Sequence, residues 1–92
     1  MGEVGRDPEA RAAVLTALRL LNPKRREAEI VIYADALADY HEAQANIHLN
    51  GAIVFHPRTG APIDNPYLRI RDRAAGVIRS LGLRADPVWG VG

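Results

Sequence analysis

Two groups of side chains in this sequence have types and spacings that could do chemistry. The first is basic. Lys24, Arg25 and Arg26 follow directly on Asn22-Pro23, a pair that suits a helix start, so the three cations fall in a first helical turn. The helix dipole disfavours cations there. A chain that accepts this cost sets positive charge beside free backbone amides, an arrangement that holds a phosphate. Arg69 and Arg73 stand four residues apart and share one face of a later helix, with Arg71 and Arg79 on others. Cations along such a path grip a nucleic-acid backbone without reading bases. The plainer alternative for both groups is solubilising charge paired with acidic residues elsewhere.

The second group is acidic and imidazole. Asp35, Asp39 and Glu42 recur at i, i+4, i+7, and His41 and His48 lie two helical turns apart. Metal sites on helices call for Glu-x-x-His or His at i, i+4 with converging partners, and neither pattern is present. These residues read as an exposed acidic face. Ser80 and Thr16 lack motif context, and there is no Gly-rich phosphate loop. With no Cys, thiolate catalysis and Cys-based zinc are excluded. The expectation is a non-catalytic protein with no metal and no cofactor.

The elements that must position these residues can be read from periodicity. An amphipathic helix opens at Asp7-Pro8 and carries Ala10, Ala13, Val14, Ala17, Leu18 and Leu21 on one face. A long helix over 22–51 follows with almost no linker, free of internal Pro and Gly and spanning roughly 40 Å. Ile30, Tyr33, Leu37, Tyr40, Gln44 and Ile47 form its seam, and Val31, Ala34, Ala38 and Ala45 a second strip of small side chains. Ala52 to His56 reads as a strand, Pro57-Arg58-Thr59-Gly60 as a turn, and Ala61 to Asp64 as a return strand that Pro62 confines to an edge. A lone hairpin is marginal in water, so it should lean on the helices or add to a neighbour's edge. Asn65-Pro66 opens a third helix with the stripe Tyr67, Ile70, Ala74, Val77, Ile78 and Leu81, ending at Gly82-Leu83. The fold class is therefore mainly α: three helices, the central one long, with one short β-hairpin between the second and third.

Ninety-two residues make a single domain, 1–92, whose ends (1–6 and 88–92) are expected to be flexible. No apolar run is long enough for a membrane span, and the N-terminus lacks a signal-peptide core, which points to a cytoplasmic protein. The net charge of +1 hides segregation: residues 1–26 and 57–92 each carry about +3, and residues 27–56 carry −5. Such a chain can hold phosphate at one place and pair unlike surfaces at another.

The order of features resembles a known family. Tyr-Ala-Asp-Ala-Leu-Ala-Asp-Tyr (33–40) leads to Ile47-His48-Leu49-Asn50-Gly51, then a hairpin with Thr59-Gly60, then Asn65-Pro66 and an Arg-rich helix closing in Leu81-Gly82-Leu83. Over residues 8–87 this is similar to the small terminase subunit of tailed phages. The resemblance implies a non-catalytic homo-oligomeric ring that binds double-stranded DNA and delivers it to the large terminase subunit, the ATPase and nuclease. Where the family continues with Thr/Ser-Pro and more basic residues, this chain has Arg84-Ala85-Asp86-Pro87. Weak, sequence-tolerant DNA binding is the expectation, compatible with a phage or a gene transfer agent.

Residue by residue, Lys24, Arg25, Arg26, Arg69 and Arg73 are expected to touch DNA. Tyr33, Leu37, Tyr40 and Ile47 are expected to pack against the first helix or a neighbouring subunit, forming the oligomer interface. The alternative is a small dimeric DNA-binding transcriptional regulator. However, the second helix is too long and acidic for the recognition helix of a helix-turn-helix. A third reading is a protein-interaction module using the acidic face and Trp89.

Overall fold

The computed structural model describes residues 7–85. The expected flexible ends and the contact of Trp89 lie outside the described residues. Helix α1 is Pro8–Leu21, α2 is Glu27–Asn50, strands β1 and β2 are Ile53–Phe55 and Pro62–Asp64, and α3 is Tyr67–Leu81. The protein is mainly helical with a short antiparallel hairpin between α2 and α3, as the periodicity indicates. It is elongated, 50 × 26 × 23 Å, because α2 alone is about 36 Å long at 1.5 Å per residue.

Each helix end has an identifiable cause. Asp7 caps α1: its side chain accepts from the Glu9 N–H at 3.3 Å, and Pro8 supplies a preset φ. Gly82, at φ 61 and ψ 35, closes α3 in the left-handed conformation and donates its N–H to the Ile78 carbonyl. Asn65 caps α3 through its side-chain oxygen, which accepts from Tyr67 N at 2.9 Å. Asn65 is only 2% exposed, yet all its polar groups are satisfied. Its backbone N–H donates to Ala52 O at 2.8 Å, and its amide nitrogen to Gly51 O at 2.9 Å and Asn46 Oδ1 at 3.0 Å. One side chain thereby ties together the end of α2, the base of the hairpin and the start of α3.

The core forms where α1, the first half of α2 and residues 82–85 meet. Leu18, Ile30, Tyr33, Ala34, Leu37, Leu83 and Ala85 are buried there, with Val14, Leu15, Ile78 and Leu81 packed against them. Tyr33 donates its hydroxyl to the Leu83 carbonyl at 3.2 Å, pinning the segment after α3 against α2. Ala36, Ala43 and Ala74 are also buried, as expected where small side chains let α2 and α3 approach.

One expectation is corrected. The long helix starts at Glu27, not at Asn22. Asn22, Pro23, Lys24 and Arg25 instead form a turn closed by Arg25 N–H on Asn22 O at 3.1 Å, because Asn at i with Pro at i+1 suits a type I turn as well as a helix start. Tyr33 and Leu37, each 4% exposed, pack in this chain's core beside Leu18 of α1. Helix α1 and the returning segment 82–85 together cover the part of the seam they occupy. The rest of the seam is open to differing degrees: Tyr40 and Ile47 are half-buried and Gln44 is exposed. Apolar side chains are spread around α2 rather than confined to one stripe, and Ile32 and Leu49 stand 51% and 82% exposed.

Candidate nucleic-acid interface

One cluster of exposed cations is built from two segments distant in sequence. Asn22 ends α1 and uses its side chain as a clasp. Its Nδ2 donates to Leu18 O at 2.9 Å and to Arg84 O at 3.0 Å, and its Oδ1 accepts from Arg84 N at 2.9 Å. The paired bonds to one residue's N–H and C=O hold the segment after α3 against the α1–α2 turn. Lys24, Arg25, Arg26 and Arg84, all exposed, therefore share one end of the molecule.

Local chemistry at that end is not what a helix-start phosphate site would need. Arg26 is the extended residue before α2, and its N–H is taken by Glu29 Oε1 at 3.1 Å. Glu27 and Glu29 occupy the first turn, where carboxylates complement the dipole. Arg19 forks onto Glu27, with Nε to Oε1 at 2.9 Å and Nη2 to Oε2 at 2.5 Å. That hydrogen bond, ahead of simple charge attraction, holds the Glu27 carboxyl below its ordinary range and the Arg19 guanidinium above its own. Arg25 reaches Glu29 at 3.4 Å. Lys24, Arg26 and Arg84 have no carboxylate partner among the described residues. Carboxylates thus already complement the first turn of α2, and Lys24, Arg26 and Arg84 are the exposed cations left to meet an anion at this end.

The two α3 arginines are elsewhere. Arg69 lies about 18 Å along the axis from the end of α3 at Leu81. It borders a shallow pocket that also contains Asp64 and Asp72. Arg73 lines a groove between α2 and α3, with Asp35, Asp39 and Glu42 along the α2 wall and Ile32, Ile70 and Val77 among its apolar lining. Carboxylates lining the same groove offset the pull of Arg73 on a phosphate. The structure thus brings Lys24, Arg25 and Arg26 together, and leaves Arg69 and Arg73 apart from them and beside acids. Arg84 went unnoticed in the sequence. The signal for it is the buried Leu83 and Ala85 on either side, an alternation that turns Arg84 outward.

The acidic row of α2 is partly structural. Asp35 pairs with Arg11 of α1. Burial pushes His41 below its ordinary pKa of 6.5, and its ring meets that of Tyr40 edge-on at 5.8 Å. Among the described residues no three His, Asp or Glu side chains come together as a metal site, and no helix is long and apolar enough to cross a membrane. No family model, curated protein or solved structure matches this chain.

Proposed function

We propose that this chain is a non-catalytic, self-associating DNA-binding protein that serves DNA packaging in the manner of a small terminase subunit. In this reading it forms a homo-oligomeric ring and passes double-stranded DNA to a large ATPase-nuclease subunit. The observation that carries the DNA-binding part is the clasp of Asn22 on Arg84. It gathers Lys24, Arg25, Arg26 and Arg84 at one end of the rod, while the opposing carboxylates are drawn to Arg19 and Arg25. Flexible surface cations without a base-reading helix favour sequence-tolerant contact with phosphates. The packaging part rests on the resemblance of residues 8–87 to the terminase family. Self-association is supported by Ile32, Leu49, Ile53 and Phe55, apolar side chains each more than half exposed.

Fluorescence titration of a short duplex over a salt series tests the assignment. Each phosphate contact contributes about 0.9 to the slope of log K against log salt. Arg26→Glu and Arg84→Glu should each flatten the slope by about one contact. Arg69→Glu and Arg73→Glu should act less, because acids already surround them. Slopes unchanged by Arg25→Glu, Arg26→Glu and Arg84→Glu would remove the cationic end from the interface.

A further inference from the structure

The hairpin has two edges, and they are not equivalent. Asn65 N–H donates to Ala52 O, and His56 N–H to Ala61 O, each at 2.8 Å. With the register Ile53↔Asp64, Val54↔Ile63, Phe55↔Pro62, these bonds fix the alternation. Residues 52, 54 and 56 aim their backbone groups into the ladder, whereas 53 and 55 aim theirs outward. On β2 the outward positions are 62 and 64, and Pro62 has no N–H to offer. The outer edge of β2 is therefore broken, and the outer edge of β1 is intact. Beyond the turn, the His56 ring and the Thr59 hydroxyl brace the backbone: His56 Nδ1 accepts from Arg58 N at 3.1 Å, and Thr59 Oγ1 from Ala61 N at 3.2 Å.

Side chains follow the same logic. Ile53 and Phe55 lie on one face of β1 at 54% and 70% exposure, with Pro62 cross-strand to Phe55 and also exposed. Val54 and Ile63, on the opposite face, are half-buried. An intact hydrogen-bonding edge flanked by exposed apolar side chains is what natural sheets cover or block.

We propose that β1 pairs antiparallel with β1 of a second copy, with Val54 on the twofold axis. In that register Ile53 faces the partner's Phe55, and each pair exchanges both outward backbone bonds. The twofold keeps both copies' Ile53 and Phe55 on one face, giving two cross-strand pairs of an aromatic with a β-branched side chain. Charge agrees. No charged side chain stands on β1, so two copies of this edge meet without like-charge repulsion. The pairing uses the same edge of both copies and closes at two, and Pro62 stops it from propagating through the other edge. Three residues of edge fall well short of the ~1,000 Å² of a stable interface. The clasp is thus weak alone and adds to contacts made elsewhere on the chain. This inference deepens the self-association in the proposed function and does not depend on DNA binding.

Amide hydrogen exchange followed by NMR in dilute and concentrated solution tests it. The Ile53 and Phe55 amides should become more protected as concentration rises, while the Val54 amide, already bonded within the hairpin, should not change. Phe55→Lys, which leaves the backbone intact, and Ile53→Pro, which removes an outward N–H as Pro62 does, should both abolish the dependence. Circular dichroism reports whether each variant keeps its helices. Protection independent of concentration in the wild type, as expected if a foreign strand covers this edge, overturns the proposal. So does concentration-dependent protection that survives Phe55→Lys. An assembly of many copies whose mass is unaffected by either variant would overturn the clasp and leave the ring reading standing.

Discussion

Replacing Asn65 by Ala should destabilise the fold more than any other single polar change among the described residues. The substitution removes the α3 cap, the bond from Asn65 Oδ1 to Tyr67 N, which is worth about 1 kcal/mol. It also removes two donated bonds, leaving Gly51 O and Asn46 Oδ1 without their donor. Both acceptors are half-buried, so water recovers part of the loss, and about 0.5–1 kcal/mol each is a fair charge. The total is about 2–3 kcal/mol, or a fall in Tm of about 10–20 °C for a domain this small. Asn65→Asp keeps the cap but turns acceptors towards Gly51 O and Asn46 Oδ1, so it should cost at least as much near neutral pH. Asn46→Ala severs one bond and should cost about 1 kcal/mol. Thermal and urea denaturation at one fixed protein concentration measure all three, since self-association would otherwise shift Tm by mass action. A loss below about 0.5 kcal/mol for Asn65→Ala would refute its role as the tie between α2, hairpin and α3.

Leu18 is fully buried and Leu20 is 78% exposed, so urea titration should show Leu18→Ala costing about 3 kcal/mol and Leu20→Ala almost nothing. For His41, the folded state binds its proton less tightly than the unfolded chain, because burial lowers its pKa from 6.5. The unfolded state then takes up more protons, so stability is complete above 6.5 and declines as pH drops through that value. Melting curves from pH 8 to 5 should show this decline, and His41→Gln should reduce it. Glu27→Gln should free Arg19 for phosphate and remove a nearby negative charge. Duplex titrations should then give tighter binding and a steeper salt slope, by up to about one contact.

Legibility in the sequence tracked how local each determinant was. Asp7-Pro8, Asn65-Pro66 and Gly82 act within a turn of themselves, and they place the ends of α1 and α3 where the sequence suggests. Asn22-Pro23 carries the same local signal and does something else. Its side chain is committed to Arg84, 62 residues away, and no local pattern reports that. The neglected clue to the true start of α2 was acidic: Glu27 and Glu29 suit a first turn, and Glu29 caps the Arg26 N–H. Spacing marks the buried Ile30, Tyr33 and Leu37 of α2, but does not show what covers them. Residues 82–85 looked like a helix exit, yet Leu83 and Ala85 complete the core over Tyr33. For the basic residues, charge clustering picks out Lys24, Arg25 and Arg26, which are adjacent in the chain. It could not find Arg84, nor foresee that Arg73 would face the carboxylates of α2.

Native mass spectrometry of the chain, alone and with a short duplex at low salt, probes self-association and DNA binding together. For a DNA-carrying ring, particles of more than two copies should carry DNA, shed it as salt rises, and keep their copy number when they do. A single chain across the micromolar range with no DNA bound at low salt would contradict it.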